Sequence, residues 1–378
     1  MIRRQFTRRE WLAATAAAAA AGTTRHLWAQ AGATSAGPQL LGGLVVRNTR
    51  PLDAEAPLGA LESWQTAPEH FFVRSHFGPP QSLPLQWTLT VDGEVNRPYT
   101  VSLDDIRGMP AQTHAVTLEC AGNGRGVFML PKTSGVQWGH GGVSNATWTG
   151  VPLSALIERA APKATAQHFW MEAVDHAPLP TVPRFLRSIP RDVALGDAFV
   201  AFEMNGRPIP LLHGGPLRLI VPGWFGMAST KWLTHVHARP RVSDNYFMAH
   251  GYRYGDQSPV EQMKVKSVIA TPLTDVHVKS GEITLKGQAW SGAKSGGIRA
   301  VDVSLDAGRT WRSARLVGSN QPGAWRSWDL PVHLTARGPQ SAMARATDVS
   351  GAVQPLAASS NPGGYGNNSI QEISFVVA

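Results

Sequence analysis

Apolar positions follow one pattern before about residue 268 and another after it. Between about residues 64 and 241, residues 85–95 (LQWTLTVDGEV) alternate like a strand that enters a turn, whereas residues 153–161 (LSALIERAA) place their apolar side chains on one helical face. Residues 217–226 (LRLIVPGWFG) are typical of a buried strand followed by a tight loop. The pattern therefore predicts that this region mixes helices and strands.

The pattern predicts strands alone from about residue 268 onward. Val301, Val303 and Leu305 alternate before a turn, and further strand-like segments lie at 325–334, 341–351 and 369–378. Strands about eight to twelve residues apart, separated by turn signals, indicate a β-sandwich of immunoglobulin type. Residues 304–311 (SLDAGRTW) resemble an Asp-box, but the string occurs once, so we interpret it as a hairpin turn and not as a propeller repeat.

The composition describes a globular chain long enough for two domains. Among 378 residues, 38 are glycine, 28 are proline and 43% are apolar, which is typical of a protein rich in loops and strands. The single cysteine excludes a disulfide within the chain, a CxxCH haem attachment site and an iron–sulfur cluster held by cysteines. The fold class predicted is α+β, with a mixed α/β domain followed by a β-sandwich.

The formal net charge of +9 is spread along the chain without a basic run of the kind that follows nucleic acid. We therefore expect no nucleic-acid partner. An ordinary solvated basic surface explains the charge, and a field that attracts an anionic substrate is the alternative.

The first residues resemble a twin-arginine export signal. Arg8 and Arg9 precede Trp11, Leu12 and a weakly apolar alanine run, and Ala29-Gln30-Ala31 fits a cleavage site. We predict a signal peptide at 1–31, a periplasmic location and no membrane span, because the apolar run is too short to cross a bilayer. A retained alanine-rich helix is the alternative. Residues 32–60 are rich in Gly, Pro and Ala and predict a linker or surface arm.

Cys120 stands between a strand-like run, residues 115–118 (AVTL), and a loop of small residues, 121–126 (AGNGRG). A lone cysteine usually packs as a small hydrophobic residue. Here the glycines permit close approach of the backbone to a ligand, and Arg125 can stabilise a thiolate or an anion. The context predicts a nucleophile or a ligand for a soft metal. A nucleophile would need a histidine base, which the sequence does not identify among 13 histidines.

The segment 118–125 (LECAGNGR) resembles the molybdenum-binding segment of the sulfite oxidase family. Four more family motifs follow the family order, at 71–76 (FFVRSH), 202–210 (FEMNGRPIP), 213–226 (HGGPLRLIVPGWFG) and 231–233 (KWL). The resemblance covers about residues 64 to 260, and the β-sandwich continues it. It implies a molybdopterin-binding catalytic domain at 61–250, an immunoglobulin-like dimerisation domain at 262–378 and a homodimer.

The resemblance also implies a cofactor, molybdenum bound to one pyranopterin without a dinucleotide, and a set of residues that hold it. The Cys120 thiolate would be the metal ligand. The matching cofactor-binding positions are His76, Cys120, His213, Arg218 and Lys231. The matching catalytic and substrate-pocket positions are Arg74, Arg125, Trp138 and Tyr252. Arg218 is notable without the family, because a charge within an apolar strand is costly unless it is paired.

The function implied is oxidation of sulfite to sulfate by oxygen-atom transfer, with electrons passed to an external c-type cytochrome. Three alternatives remain: the sulfane dehydrogenase subunit of a thiosulfate-oxidising complex, an S- or N-oxide reductase on the same fold, and a secreted binding protein with an inert cysteine. The chain departs from the family at Gly251, where an aspartate is common, and at Leu212, where a charge is common. Tyr254 lies close enough to Tyr252 to compete for its role, and one further pocket arginine has no clear match.

Overall fold

The computed structural model describes residues 40–128, 132–177, 179–293 and 297–378. The predicted signal peptide at 1–31 lies outside the described residues. Residues 39–378 form one compact unit. No helix within the described ranges is long and apolar enough to cross a membrane.

Residues 40–55 form a small antiparallel sheet where composition predicted a linker or arm. Its strands are β1 (Leu40–Leu41), β2 (Leu44–Thr49) and β3 (Leu52–Glu55). Ala54 is fully buried and exchanges two backbone hydrogen bonds with Val73, at 3.0 and 2.8 Å. The Gly, Pro and Ala residues of the wider window concealed this short alternating segment. The sheet brings two buried acids, Asp53 and Glu55, to the centre of the molecule.

The mixed region contains two five-stranded sheets. In chain order its elements are β4 (Thr88–Gly93), β5 (Tyr99–Ser102), α1 (Leu103–Arg107), β6 (Gln112–Glu119), β7 (Val143–Pro152), α2 (Leu153–Arg159), β8 (His168–Ala173), β9 (Leu186–Pro190), α3 (Arg191–Ala194), β10 (Phe199–Met204), β11 (Arg207–Pro208), β12 (Arg218–Ile220), β13 (Leu233–Arg239) and α4 (Tyr246–Ala249). One sheet has the order β11-β10-β7-β6 with β12 on β10, and the other has the order β5-β4-β13-β8-β9. The helix predicted at 153–161 is confirmed as α2, whose apolar face is fully buried.

Strands alone make up the C-terminal region, as predicted. They are β14 (Lys266–Thr271), β15 (Val276–Val278), β16 (Gly281–Trp290), β17 (Ile298–Ser304), β18 (Arg312–Ser313), β19 (Arg315–Val317), β20 (Arg326–Leu334), β21 (Gly338–Asp348) and β22 (Glu372–Val377). The sheets β14-β16-β20-β19 and β15-β22-β21-β17-β18 share one apolar core and form a sandwich. Asp306 accepts hydrogen bonds from the backbone N–H and hydroxyl of Thr310, at 2.9 and 2.6 Å, so the Asp-box string is a hairpin turn.

An apolar cluster joins the sandwich to the mixed region directly behind the cysteine loop. Val268 and Trp290 of the sandwich share this cluster with Ala121, Phe225 and Tyr252. Burial of apolar area is the main stabilising term at such a contact. The loop after Cys120 is therefore supported by both regions of the chain.

Candidate active site

A cavity with about 730 Å³ of empty space lies where strand β6 ends. Cys120, the residue after β6, faces this cavity and is half-buried. Its backbone N–H donates to the Gly142 carbonyl at 2.8 Å, which fixes the end of the strand. Other residues that line the cavity include Phe72, Arg74, His76, Asp175, Phe185, His213, Arg218, Thr230, Lys231 and Tyr252.

Glycines after Cys120 make room for a buried arginine. A Cβ on Gly122 would lie 2.9 Å from the Arg125 guanidinium, and Gly124 has a φ of +84°, which favours glycine. These two glycines explain why a loop of small residues follows Cys120. The loop must turn tightly and leave space for a cation beside the thiol.

Burial raises the pKa of the Cys120 thiol, although Arg74 and the N–H of Gly122 act in the opposite direction. The free thiol is therefore protonated at neutral pH, and a bound metal ion would deprotonate it. Within the described residues, no group of three or more His, Cys, Asp or Glu side chains is placed to hold a metal ion. A metal at Cys120 would therefore need further ligands from a cofactor.

Three buried polar atoms at one end of the cavity have no hydrogen-bond partner among the described residues. Arg218 donates to the carbonyls of His213 and Ser229, at 2.5 and 3.1 Å, but its Nε has no partner. The Thr230 hydroxyl and Nδ1 of His213 are also unpartnered. Buried polar groups are normally satisfied, so this end of the cavity fits a polar ligand. The donor set of Arg218 and Thr230 fits the phosphate of a pterin cofactor.

Lys231 adds a second cation at this phosphate end. Its ammonium donates to the Leu212 carbonyl at 2.6 Å. This contact uses the backbone of residue 212, so it does not need a charged side chain at that position. Burial and the neighbouring Arg218 lower the pKa of Lys231 to about 7. Burial and Lys231 lower the pKa of His213 to about 3, so this imidazole is neutral and its Nε2 donates to the Pro68 carbonyl at 2.9 Å. An anion here would raise the pKa of Lys231 again.

Tyr252 and His76 form a hydrogen bond at the other end of the cavity. The distance from the Tyr252 hydroxyl to Nε2 of His76 is 3.2 Å. Burial lowers the pKa of His76 well below its ordinary range, and Arg74 and Arg187 add to this shift. His76 is therefore neutral. The Phe185 ring stacks on it with centroids 4.3 Å apart.

Arg74 lies at this same end and is held by an acid. Its Nη1 is 3.1 Å from Oδ1 of Asp53 and 2.5 Å from the Ser75 carbonyl. Asp53 is fully buried, and burial raises its pKa while Arg74 lowers it. The pair orients the guanidinium toward the cavity, where a planar fork of donors matches an oxyanion.

The structure gathers seven of the nine predicted site residues around one cavity: Arg74, His76, Cys120, His213, Arg218, Lys231 and Tyr252. Tyr254 is not among the residues that line the cavity, and the Lys264 ammonium lies 4.9 Å from the centre of its ring. Tyr252 is therefore the tyrosine that faces the cavity. Tyr252 has a φ of 53°, a left-handed conformation that is unusual for a bulky residue and is common at functional sites.

Arg125 and Trp138 are not among the residues that line this cavity, and their predicted roles in the substrate pocket stay predictions. Arg125 donates to the carbonyls of Gly363 and Val136, at 3.0 and 3.2 Å, and lies over the Tyr365 ring. Trp138 is fully buried, with its ring edge-to-face against Phe72 at 6.4 Å between centroids.

Sequence reasoning missed Asp53, Asp175 and Arg187. Asp53 lies in the segment predicted as a linker. Asp175 lines the cavity, and burial raises its pKa to about 6. Arg187 lies in β9, with its guanidinium 5.1 Å from the centre of the Tyr252 ring. The only signal for Arg187 was an arginine within the short segment 186–190 (LRSIP), which has fewer apolar neighbours than Arg218 in 217–221 (LRLIV).

Comparison with known proteins agrees with this geometry. The family model "Oxidoreductase molybdopterin binding domain" matches residues 76–247, and "Mo-co oxidoreductase dimerisation domain" matches residues 257–375. Sulfite oxidase of Gallus gallus is 35% identical over 338 residues, which cover 83% of this chain and 73% of that protein. The chain belongs to the sulfite oxidase family. Its molybdopterin domain contains Cys120 and the phosphate end of the cavity, and the family's cofactor is molybdenum bound to molybdopterin.

Other members of the sulfite oxidase family differ in length. The mitochondrial sulfite oxidase of Homo sapiens is 34% identical over 317 residues, and the match spans 78% of this chain and 58% of that protein. Sulfite oxidase of Arabidopsis thaliana is 30% identical, over 82% of this chain and 88% of that protein. Among solved structures, the sulfane dehydrogenase SoxCD from Paracoccus pantotrophus has a TM-score of 0.77 and 28% identity, with 91% and 92% of the two chains covered. The α+β fold with a dimerisation domain is thereby confirmed.

Proposed function

We propose that this protein oxidises sulfite to sulfate and passes the electrons to an external acceptor, a c-type cytochrome. Sulfite and water give sulfate, two protons and two electrons. The observation that supports the proposal is one cavity with a thiol, an oxyanion-binding arginine and a tyrosine at one end and phosphate-binding groups at the other. When bound, the molybdenum cofactor supplies the oxygen-atom transfer and the two-electron redox change.

The residues of the chain would hold the cofactor at three points. Cys120 would ligate the metal as a thiolate. Arg218, Lys231 and the Thr230 hydroxyl would bind the pterin phosphate, which explains their unused donors and the lowered pKa of Lys231. His76 would contact the cofactor from the Tyr252 end of the cavity, where its ring is neutral.

The same residues would hold the substrate. Arg74 would bind the sulfite oxygens, with Asp53 fixing its guanidinium. The neutral His76 ring would donate its Nε2–H to the Tyr252 oxygen, which leaves the Tyr252 hydroxyl proton free to donate to a substrate oxygen in the cavity. Such fixed donors and dipoles stabilise developing charge without reorganisation.

The test is sulfite-dependent reduction of cytochrome c, followed by absorbance, with purified protein that contains molybdenum. We expect reduction with the wild type and none with Cys120→Ser, which should also lack molybdenum by metal analysis. Wild-type protein that holds molybdenum but reduces no acceptor with sulfite would refute the proposal. Substantial activity in Cys120→Ser would refute metal ligation by this thiol.

A sulfane dehydrogenase is the second candidate, and the likeness to SoxCD along most of both chains favours it. The two candidates differ in substrate. Reduction of cytochrome c with sulfite alone supports the first, whereas activity only with a protein-bound sulfane sulfur supports the second. A reductase on the same fold is less favoured, because the C-terminal sandwich matches the dimerisation domain found with sulfite oxidases.

We further propose export to the periplasm and a homodimer formed through the C-terminal sandwich. The twin arginines at residues 8 and 9 support export, and Arg8→Lys/Arg9→Lys should retain the protein in the cytoplasm. The match to a dimerisation domain over residues 257–375 supports the dimer. Light scattering on the purified protein should give twice the mass of one processed chain, which is below 40.6 kDa once residues 1–31 are removed, and a monomer mass would refute the dimer.

A further inference from the structure

Arg187 is a buried cation that belongs neither to the phosphate-binding residues nor to the ion pair of Arg74 and Asp53. It is 2% exposed, and its guanidinium carbon lies 5.1 Å from the centre of the Tyr252 ring. One guanidinium nitrogen donates to the Phe247 carbonyl, but Nε has no hydrogen-bond partner among the described residues. A buried guanidinium with an unused donor is costly, so its retention needs a reason.

The groups around Arg187 do not neutralise it. Within the described residues it forms no ion pair, although the Glu261 carboxylate is near enough to raise its pKa and the Arg253 guanidinium to lower it. Burial lowers the pKa of Arg187 to about 10, which leaves the side chain charged at neutral pH. Burial raises the pKa of Tyr252, so this neighbour is neutral at that pH and offers only its ring and hydroxyl dipole.

The other cations near this end of the cavity are already engaged. The Arg74 charge is offset by Asp53, at 3.1 Å. Arg125 donates to two backbone carbonyls and lies over the Tyr365 ring. Arg187 forms no ion pair within the described residues, so it adds positive charge beside the pair formed by Tyr252 and His76.

We propose that Arg187 is a positioning residue for the oxyanion of the pocket. It supports the Tyr252 ring from behind and supplies positive field that, together with Arg74, attracts a tetrahedral or pyramidal oxyanion to the Tyr252 hydroxyl. Its influence on His76, whose pKa it helps to lower, agrees with a field that reaches the cavity. The inference rests on the proposed function only for naming sulfite and sulfate as the anions.

The test compares Arg187→Met with Arg187→Lys in the molybdenum-containing protein. Sulfate is the probe, and its affinity is measured by calorimetry at constant ionic strength, without turnover. We expect Arg187→Met to weaken sulfate binding about tenfold, the scale of one charge in a partly screened site, and to raise KM for sulfite more than it lowers kcat. Arg187→Lys should restore most of the affinity, because it keeps the charge.

Arg184→Met is the matched control. Arg184 lies three residues before Arg187, but its side chain is 53% exposed and pairs with Glu172 at 2.6 Å. Its loss should leave sulfate affinity within about twofold, because exposed charges are screened. If Arg187→Met does not fold, Arg187→Gln gives the same comparison, since it keeps a donor for the Phe247 carbonyl and loses the charge.

Two results would overturn the inference. One is unchanged sulfate affinity in Arg187→Met or Arg187→Gln. The other is equal loss in Arg187→Lys and Arg187→Met, which would mean that Arg187 acts through shape alone. A wild type that binds sulfate in an Arg187-dependent way but does not oxidise sulfite would refute the proposed function and leave this inference standing.

Discussion

The Lys266 ammonium lies 3.2 Å from the Glu119 carboxylate, and both side chains are almost fully buried. Lys266 begins the sandwich, and Glu119 immediately precedes Cys120. Glu119 also accepts hydrogen bonds from Asn123 and Trp290, both at 2.9 Å. The ion pair therefore ties the strand that carries the cysteine to the C-terminal region.

Lys266→Met should destabilise the protein by about 3–5 kcal/mol, because it leaves a buried carboxylate without its cation. Urea unfolding at neutral pH measures this loss. The double variant Lys266→Met/Glu119→Gln should recover most of it, since both charges are then removed. As a control, Lys286→Met removes an exposed partner of Glu62 and should cost less than about 1 kcal/mol. Equal losses of stability in Lys266→Met and Lys286→Met would contradict the assignment of Lys266 and Glu119 as a buried, stabilising ion pair.

Asp175 predicts a pH dependence in the cofactor-free protein. Burial raises its pKa from 3.8 to about 6, and Lys231 partly opposes this shift. The folded state therefore binds its proton more tightly than the unfolded state. Its contribution to stability is complete below about pH 4 and is lost as the pH rises through about 6.

Asp175→Asn removes this titration. We expect the variant to be more stable than the wild type by up to about 2 kcal/mol at pH 7 and to show no corresponding gain at pH 4. Urea unfolding of cofactor-free protein at the two pH values measures the difference. The same gain at both pH values would show that the amide stabilises by packing and not by removing a charge.

Much of the fold follows from local patterns of apolar and polar residues that are evident in the sequence. The buried face of α2 and the alternation in β17 depend on residues close in sequence, so periodicity identifies them. Cys120, Arg218 and Lys231 lie in motifs whose order along the chain matches that of the sulfite oxidase family. All three line one cavity in the structure.

Residues that act through distant contacts were harder to predict. Arg125 and Trp138 match the expected spacing, but Arg125 lies over the Tyr365 ring and Trp138 packs against Phe72, and neither is among the residues that line the cavity. Asp53 joins the site only because a short sheet pairs with Val73, a long-range contact that composition conceals. Spacing along the chain specifies which strand or loop carries a side chain, whereas packing decides which layer it reaches.

Gly251 lies close to the backbone of α4, which leaves little room for a side chain directly before the pocket tyrosine. A Cβ at residue 251 would lie 3.3 Å from Cα of Phe247, tighter than ordinary contact. Gly251→Asp should shift α4 and the Tyr252 backbone and cost about 1–3 kcal/mol. Thermal unfolding measures the cost. Gly255→Asp is the control, because its nearest neighbour is Pro362 at 3.5 Å, and a similar loss there would refute the steric argument.

The hydroxyl of Tyr252 gives the sharpest test of the substrate end. Tyr252→Phe keeps the ring between Arg187 and Tyr365 but removes the hydrogen bond to His76. We expect kcat for sulfite to fall about tenfold to a hundredfold, because a positioned dipole is lost where charge develops, with little change in molybdenum content or melting temperature.

Steady-state kinetics with cytochrome c, beside metal analysis, measures the effect of Tyr252→Phe. Tyr254→Phe is the matched control, because Tyr254 lies under Lys264 and outside the cavity lining. Its kcat should stay within about twofold of the wild type, since no reacting group contacts its hydroxyl. A larger loss in Tyr254→Phe than in Tyr252→Phe would reverse the assignment and identify Tyr254 as the residue that faces the substrate.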